Sequence, residues 1–184
     1  DIVPFPAVLS TTPTDSGVAD TWQRGFNVEF ASPMNDETVV DQFIIEPDPG
    51  DVDTFVNEWE GGYSVFVDFP LEPNTTYTVT IPGTAADPYG NTLGEDYVFT
   101  FSAPPFAPLA SFNLPRDVAQ LSTSFPTNVQ VLHRNVSTLE VSLYETGVDV
   151  DLLFNSYRIN EREPNGEPIF QTTIPVENTP DELG

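Results

Sequence analysis

Two stretches decide the fold of this chain: Leu71-Glu-Pro-Asn-Thr-Thr-Tyr-Thr-Val-Thr-Ile81 and, further on, Tyr97-Val-Phe-Thr-Phe101. In both of them a large apolar side chain occupies every second position, which is the period of a β-strand with one buried face. Between them, residues 87–90 read Asp-Pro-Tyr-Gly, with Asp, Pro and Gly where a type I turn favours them. We therefore predict two strands that form one hairpin of a β-protein.

The same alternation predicts five more strands in the first half of the chain, over residues 7–11, 25–31, 42–46, 52–59 and 63–69. Seven strands in about a hundred residues match the size of an immunoglobulin-like β-sandwich. The predicted core faces are those of Phe26, Val28 and Phe30 on one strand, and of Tyr63, Val65, Val67 and Phe69 on another. Asn35 is predicted to cap one short helical turn over residues 36–41.

A proline-rich linker, Pro104-Pro-Phe-Ala-Pro108, predicts a boundary between a domain at residues 1–104 and a second at residues 105–184. In the second half we predict strands over residues 109–114, 128–134, 139–145 and 168–175, and a helix over residues 149–158. Four strands do not close a sandwich, so we expect this module to be incomplete or to complete its sheets with a partner. Homodimer formation through residues 106–175 is one such prediction.

Charge excludes two classes of partner. The chain has 29 acidic residues and five arginines, no lysine, and a formal net charge of -24. Such a surface repels nucleic acid and anionic membrane surfaces alike. No apolar run approaches the roughly 20 residues of a membrane span, so we expect no membrane insertion. The acidity itself has two readings, adaptation to high salt and the solubility of an exported protein.

The residue types and their spacing do not match the common catalytic arrangements. Cysteine is absent, which excludes disulfides, thiolate metal sites, thiol nucleophiles and thioesters from these residues. His133 is the only histidine, and no nucleophile-elbow sequence surrounds the serines available to it, Ser111, Ser137 and Ser142. Glu58 and Glu60 lie on one strand or turn, whereas glycosidase carboxylates must face each other across the bond. We therefore predict no catalytic site.

Two candidate binding features remain. Asp48-Pro-Gly-Asp-Val-Asp53 gathers carboxylates in a turn, and Asp48, Asp51 and Asp53 form a candidate calcium site, although the spacing is not that of an EF-hand. The alternative is a solvated acidic loop, and no other cofactor is expected. Asp87 with Asn91 is a second such pair, which is either a ligand set or a turn cap. Among the aromatics Trp22, Trp59 and Tyr63, mainly core positions are expected, with Trp22 as the exposed one that a sugar would use.

A resemblance to a known family rests on five stretches: Thr12-Pro-Thr-Asp-Ser-Gly-Val18, Phe26-Asn-Val-Glu-Phe-Ala-Ser-Pro-Met34, Leu71-Glu-Pro-Asn-Thr-Thr-Tyr77, Asp87-Pro-Tyr-Gly-Asn91 and Tyr97-Val-Phe-Thr-Phe101. In order and spacing they resemble the bacterial Ig-like domain of surface proteins over residues 5–103. The third stretch also resembles the tyrosine corner, in which the hydroxyl of Tyr77 would bind backbone a few residues upstream.

The second half resembles a macroglobulin-type domain of bacterial alpha-2-macroglobulin-like proteins, on four stretches: Phe112-Asn-Leu-Pro-Arg116, Asn135-Val-Ser-Thr-Leu-Glu-Val-Ser-Leu-Tyr144, Asp151-Leu-Leu-Phe154 and Gly166-Glu-Pro-Ile-Phe-Gln-Thr-Thr-Ile-Pro175. In that family the domain would continue with further strands beyond residue 184. The family traps proteases through a bait region and often a thioester, and no thioester residue carries over to a chain without cysteine.

Together these observations predict an all-β chain, an Ig-like sandwich followed by an incomplete β-module, from a large exported bacterial protein. Its location would be extracellular, at the cell surface or periplasmic. Its role would be structural or interactive, within an alpha-2-macroglobulin-like protease trap, and its partners would be other domains of the same polypeptide or another protein. The alternative is an adhesin or carbohydrate-binding module of a cell-surface protein.

Overall fold

The chain divides into two compact units, Asp1–Pro105 and Phe106–Gly184. The computed structural model describes residues 4–40, 42–59, 62–113, 124, 128–145, 166–177 and 179–184. The predicted helix at residues 149–158 lies outside these ranges, as does the stretch 151–154. Two predicted elements also end on residues outside them, the helical turn at Asp41 and the strand at Leu114. No helix among the described residues combines the length and apolar character that crossing a membrane requires.

The first unit is a two-sheet β-sandwich with one helical turn. Its elements are β1 (Val8–Thr12), β2 (Gly17–Val18), β3 (Phe26–Phe30), α1 (Asp36–Val39), β4 (Ile44–Glu46), β5 (Asp53–Trp59), β6 (Gly62–Asp68), β7 (Thr76–Ile81) and β8 (Tyr97–Ser102). One sheet has the order β1-β3-β6-β5 and the other the order β2-β8-β7-β4. The predicted all-β class and sandwich architecture are confirmed.

The hairpin predicted from the opening stretches is present. β7 pairs antiparallel with β8 from Thr76 opposite Ser102 to Ile81 opposite Tyr97. The two-residue strand β2 was not predicted, because a segment of two residues has no periodicity. It runs parallel to β8, and the Asp15 carboxylate just before it accepts a hydrogen bond from the Thr100 backbone N–H at 2.9 Å.

Aromatic side chains fill the space between the two sheets. Phe26 of β3 is fully buried and packs edge-on against Phe99 of β8, with ring centroids 5.5 Å apart, and against Phe69 at 6.2 Å. Edge-to-face packing of this kind adds about 0.5–1.5 kcal/mol to the burial of each ring. Because Phe26 and Phe99 belong to different sheets, their contact holds the sandwich closed.

The helical turn α1 forms as the sequence predicts. The Asn35 side chain caps it by accepting a hydrogen bond from the Glu37 N–H at 3.1 Å, and the backbone leaves the helix at Val40. Asp36 accepts a hydrogen bond from the Tyr63 hydroxyl at 2.5 Å, which ties the turn to β6. Burial raises the pKa of Tyr63, and the hydrogen bond to Asp36 and the negative charge of that carboxylate raise it further, so this hydroxyl stays protonated and donating.

The described part of the second unit contains two small sheets. Its strands are β9 (Leu109–Phe112), β10 (Val131–Arg134), β11 (Thr138–Leu143) and β12 (Phe170–Pro175). β9 pairs antiparallel with β10, and β11 with β12. Leu139 is the one apolar side chain that is buried among the described residues of this unit. The described residues of the second unit therefore include far fewer buried apolar side chains than those of the first unit.

Candidate functional site

The predicted calcium ligands lie in and beside the loop before β5. The Asp48 carboxylate accepts a hydrogen bond from the backbone N–H of Gly50 at 2.9 Å, so it caps its own turn. Asp51 is exposed in that turn, and Asp53 begins β5 opposite Asp68 of β6. Within the described ranges, no three His, Asp or Glu side chains come close enough together to hold a metal ion. Calcium binding by Asp48, Asp51 and Asp53 stays a prediction.

Asp87 is the hub of a hydrogen-bonded turn. Its side chain is only 2% exposed and accepts hydrogen bonds from the Tyr89 N–H at 2.9 Å, the Asn91 N–H at 2.8 Å and the Asn91 side-chain amide at 2.7 Å. Burial alone would raise the pKa of Asp87, but the hydrogen bonds from Asn91 and Tyr89 outweigh it, and the pKa lies below its usual range. Asp87 was interpreted above as either a metal ligand or a turn cap, and its contacts are those of a turn cap.

Among the residues that the structure describes, no hydrogen-bonded catalytic arrangement forms around His133 or Glu58. His133 lies in β10 opposite Ala110, and its backbone exchanges hydrogen bonds with Gly184. No hydrogen bond joins its ring to a serine in the part of the chain that the structure describes. Glu58 is exposed on β5, while Glu60 lies outside the described residues.

The three aromatic residues considered for sugar binding differ in burial. Tyr63 is buried in the core, and Trp22 is 88% exposed, as predicted. Trp59 was expected in the core, but it is 48% exposed. It lies opposite Gly62, on the face of β5 that points away from the other sheet, and its indole covers the glycine so closely that a Cβ there would fall 2.1 Å from the ring. Strand alternation alone does not reveal which aromatic lies over a glycine.

The tyrosine corner is present. The hydroxyl of Tyr77 accepts a hydrogen bond from the backbone N–H of Glu72 at 2.9 Å, and its ring stacks on Phe101 with centroids 5.4 Å apart. Tyr77 is therefore a fold residue that fixes the entry into β7.

The second unit exposes apolar side chains that a closed sandwich would bury. Leu143, Phe170 and Ile174 lie on one face of the sheet formed by β11 and β12, Phe112 ends β9, and Val129 and Ile169 lie just outside the strands. A cavity of about 170 Å³ lies between Phe112 and Val131 of one sheet and Leu139 and Val141 of the other. Exposed apolar patches on folded domains mark interaction surfaces. The strand count predicted an incomplete module, which stays a prediction, and the exposed apolar side chains were not identified from the sequence.

Residues 3–103, more than half of the chain, match a family described as the bacterial Ig-like domain. The chain belongs to the bacterial Ig-like domain family. The first unit is the Ig-like domain, and its two facing sheets and tyrosine corner are the structural features of that assignment. Bacterial Ig-like domains are typically non-catalytic structural modules of surface proteins.

Similar solved structures also contain surface-protein and macroglobulin domains. The N-terminal part of the bacterial S-layer protein SbsC is 22% identical to this chain, with a TM-score of 0.39. The aligned region covers 78% of this chain and 36% of the SbsC chain. Alpha-2-macroglobulin from Escherichia coli, in a structure spanning domains MG0-NIE-MG1, is 14% identical, with a TM-score of 0.40. The aligned region covers 98% of this chain and 59% of the macroglobulin chain. The Ig-like chain thus spans less than two thirds of either structure. No curated protein matches it.

Proposed function

We propose that this chain is a non-catalytic structural and interaction segment of a larger exported bacterial protein, an alpha-2-macroglobulin-like protease trap. The Ig-like domain serves as a rigid spacer, and the second unit docks onto another domain. The observation that carries the interaction role is the apolar surface of the second unit. Phe170 and Leu143 are each more than half exposed on paired strands, where an isolated soluble domain would bury them.

The choice of a protease trap as the parent protein rests on the resemblance of four stretches in the second half to macroglobulin-type domains. A macroglobulin-type domain closes its sandwich with further strands, and the described residues of the second unit form two separate two-stranded sheets. Two-stranded sheets are marginally stable alone, and adding strands from elsewhere would cover their apolar faces. Export, to the cell surface or periplasm, accords with the family of the first unit and with a surface rich in acidic residues.

Self-association tests the docking surface directly. In multi-angle light scattering over a wide concentration range, the unmodified chain is expected to form dimers. In a purified sample, another copy of the chain is the only protein available to cover the apolar surface of the second unit. Leu143→Ser should shift the chain to monomer. Leu9→Ser, the same change at a similarly exposed leucine of β1, should not. A chain that stays monomeric at every concentration, with the amides of β11 and β12 protected from exchange, contradicts the proposed docking role.

The parent protein is tested by the coding sequence that surrounds this segment. Further macroglobulin-type strands, followed by a thioester sequence, would support the protease trap. Tandem copies of residues 3–103 would contradict it and favour a repetitive surface protein. The purified parent should then retain a protease and shield it from protein inhibitors while leaving small peptide substrates accessible.

An adhesin or carbohydrate-binding module is the second candidate function, favoured by the exposure of Trp22. An indole that is 88% exposed offers a flat face on which a sugar ring can stack. Titration with soluble oligosaccharides should then change tryptophan fluorescence, and Trp22→Ala should abolish the change while Trp59→Phe retains it. If no glycan alters the fluorescence of the unmodified chain, this candidate is excluded.

A further inference from the structure

Strand β5 is an open sheet edge. It is the last strand in its sheet, it extends over seven residues, and its register with β6 is regular throughout. β5 contains no proline and no bulge, and its only charged residues are Asp53 and Glu58, which disfavour an acidic neighbouring strand but not a basic one. The other edges of the sandwich are protected, since β1 contains an irregularity between Val8 and Ser10, β2 has two residues, and β4 has three.

The backbone of β5 is available for pairing. In an antiparallel pair, every second residue directs its N–H and C=O away from the neighbouring strand. Apart from β6, no described residue donates to or accepts from the β5 backbone. A strand placed beside β5 would satisfy these groups and continue the sheet.

A groove of about 580 Å³ runs along this edge on the side of the helical turn. β5 contributes Thr54 and Val56 to it, and the opposite wall consists of Asp36, Glu37, Val40 and Gln42. The groove leaves room for the inward side chains of an added strand. Its two carboxylates, at Asp36 and Glu37, would lie close to those side chains.

The two faces of β5 differ in chemistry, and this difference defines the residues of an added strand. On the outer face, Phe55 and Trp59 are each about half exposed, and Phe55 stacks on Phe66 with centroids 6.3 Å apart. On the groove side, Glu58 adds a third carboxylate to those of Asp36 and Glu37. An incoming strand would therefore place apolar residues beside the aromatics and basic residues beside the carboxylates, in alternation.

Charge also distinguishes between two possible neighbours of the β5 edge, a second copy of this chain and a basic peptide segment. Arg24 is the only arginine in the first unit, and it is bound to Asp68 at 2.7 Å, so it does not neutralise the groove. A second copy of the chain would bring a net charge of -24 and its own acidic β5 to this edge. Like charges placed side by side oppose such a pairing, whereas a basic segment is attracted.

We propose that the free edge of β5 is a strand-addition site for an extended peptide segment in which apolar and basic residues alternate. The main-chain hydrogen bonds supply affinity, and the alternation supplies specificity. This proposal concerns the first unit and is independent of how the second unit docks.

The test uses the full chain and a capped peptide of alternating valine and arginine. Hydrogen exchange followed by NMR should show new protection of alternate β5 amides, and Trp59 fluorescence, isolated in Trp22→Phe, should change on binding. The same peptide methylated on alternate backbone nitrogens should bind at least tenfold more weakly, because it cannot pair with the edge. A peptide with glutamate in place of arginine should not bind.

A matched pair of charge reversals tests the groove. Glu37→Lys should weaken binding about threefold, the range measured for exposed ion pairs. Glu95→Lys, the same change at an exposed residue before β8 in the other sheet, should leave it unchanged. Equal binding by the methylated peptide would overturn the proposal, since it would indicate charge attraction alone. Protection of β5 that accompanies dimer formation without peptide would also overturn it, in favour of a second copy.

Discussion

Replacing Tyr77 by phenylalanine removes one oxygen atom from the core of the Ig-like domain and leaves the ring in place. That oxygen accepts the backbone N–H of Glu72 at 2.9 Å, while the ring stacks on Phe101 and packs edge-on against Phe69, both with centroids 5.4 Å away. The substitution therefore isolates the tyrosine corner from the burial of the aromatic ring.

The expected loss in free energy of unfolding follows from the fate of the Glu72 N–H. An intramolecular hydrogen bond contributes about 1 kcal/mol, and an orphaned buried donor costs about 1–3 kcal/mol. Glu72 lies in an exposed segment, where water can replace the lost acceptor, so we expect about 1 kcal/mol. For a domain of this size that lowers the Tm by about 4–8 °C. Tyr77→Ala, which also removes the ring, should cost about 3–5 kcal/mol.

Urea denaturation followed by tryptophan fluorescence is the appropriate assay, because both tryptophans, Trp22 and Trp59, belong to the first unit. The control is Tyr97→Phe on β8, whose hydroxyl has no hydrogen bond in the described structure. Tyr97→Phe should leave the midpoint unchanged. If Tyr77→Phe is as stable as the unmodified chain, or if both variants lose stability equally, the hydrogen bond to Glu72 does not stabilise this domain and the reasoning is refuted.

Three other perturbations give defined outcomes. Hydrogen bonding lowers the pKa of Asp87 in the folded state, so its contribution to stability is present above the unfolded pKa of about 3.9 and is lost as the pH falls through the lower folded value. The urea midpoint of the unmodified chain should therefore fall more steeply on acidification than that of Asp87→Ala. Parallel curves for the two proteins would contradict this. Gly62→Ala places a Cβ 2.1 Å from the Trp59 indole, so the ring must leave the sheet and its emission should shift to the red, whereas Ser64→Ala on the same outer face should not move it. If calcium binds the loop before β5, added calcium should raise the Tm and a chelator should reverse the rise, and a flat response would exclude a site at Asp48, Asp51 and Asp53.

Most strands of the first unit could be predicted because each has one buried face, and a buried face imposes a period of two on the sequence. Phe26, Val28 and Phe30 show that period, and all three are fully buried. β2 could not be found in this way, since it is held by pairing with β8 and by Asp15, both distant in sequence. The exposure of Trp59 was missed for a related reason, because it depends on the cross-strand partner Gly62.

For this protein, the sequence by itself determined the β class, most strands of the first unit and the tyrosine corner. These properties depend on local periodicity, turn residues and composition, which neighbouring residues encode. Only the tertiary structure decided that Asp87 is enclosed by its own turn, that Trp59 lies over Gly62, and that β5 is an edge with a groove beside it. Alternation specifies which side chains share a face, but the order of strands in a sheet depends on contacts between distant residues. That order pairs β5 with β6 on one side and leaves its other edge without a neighbouring strand.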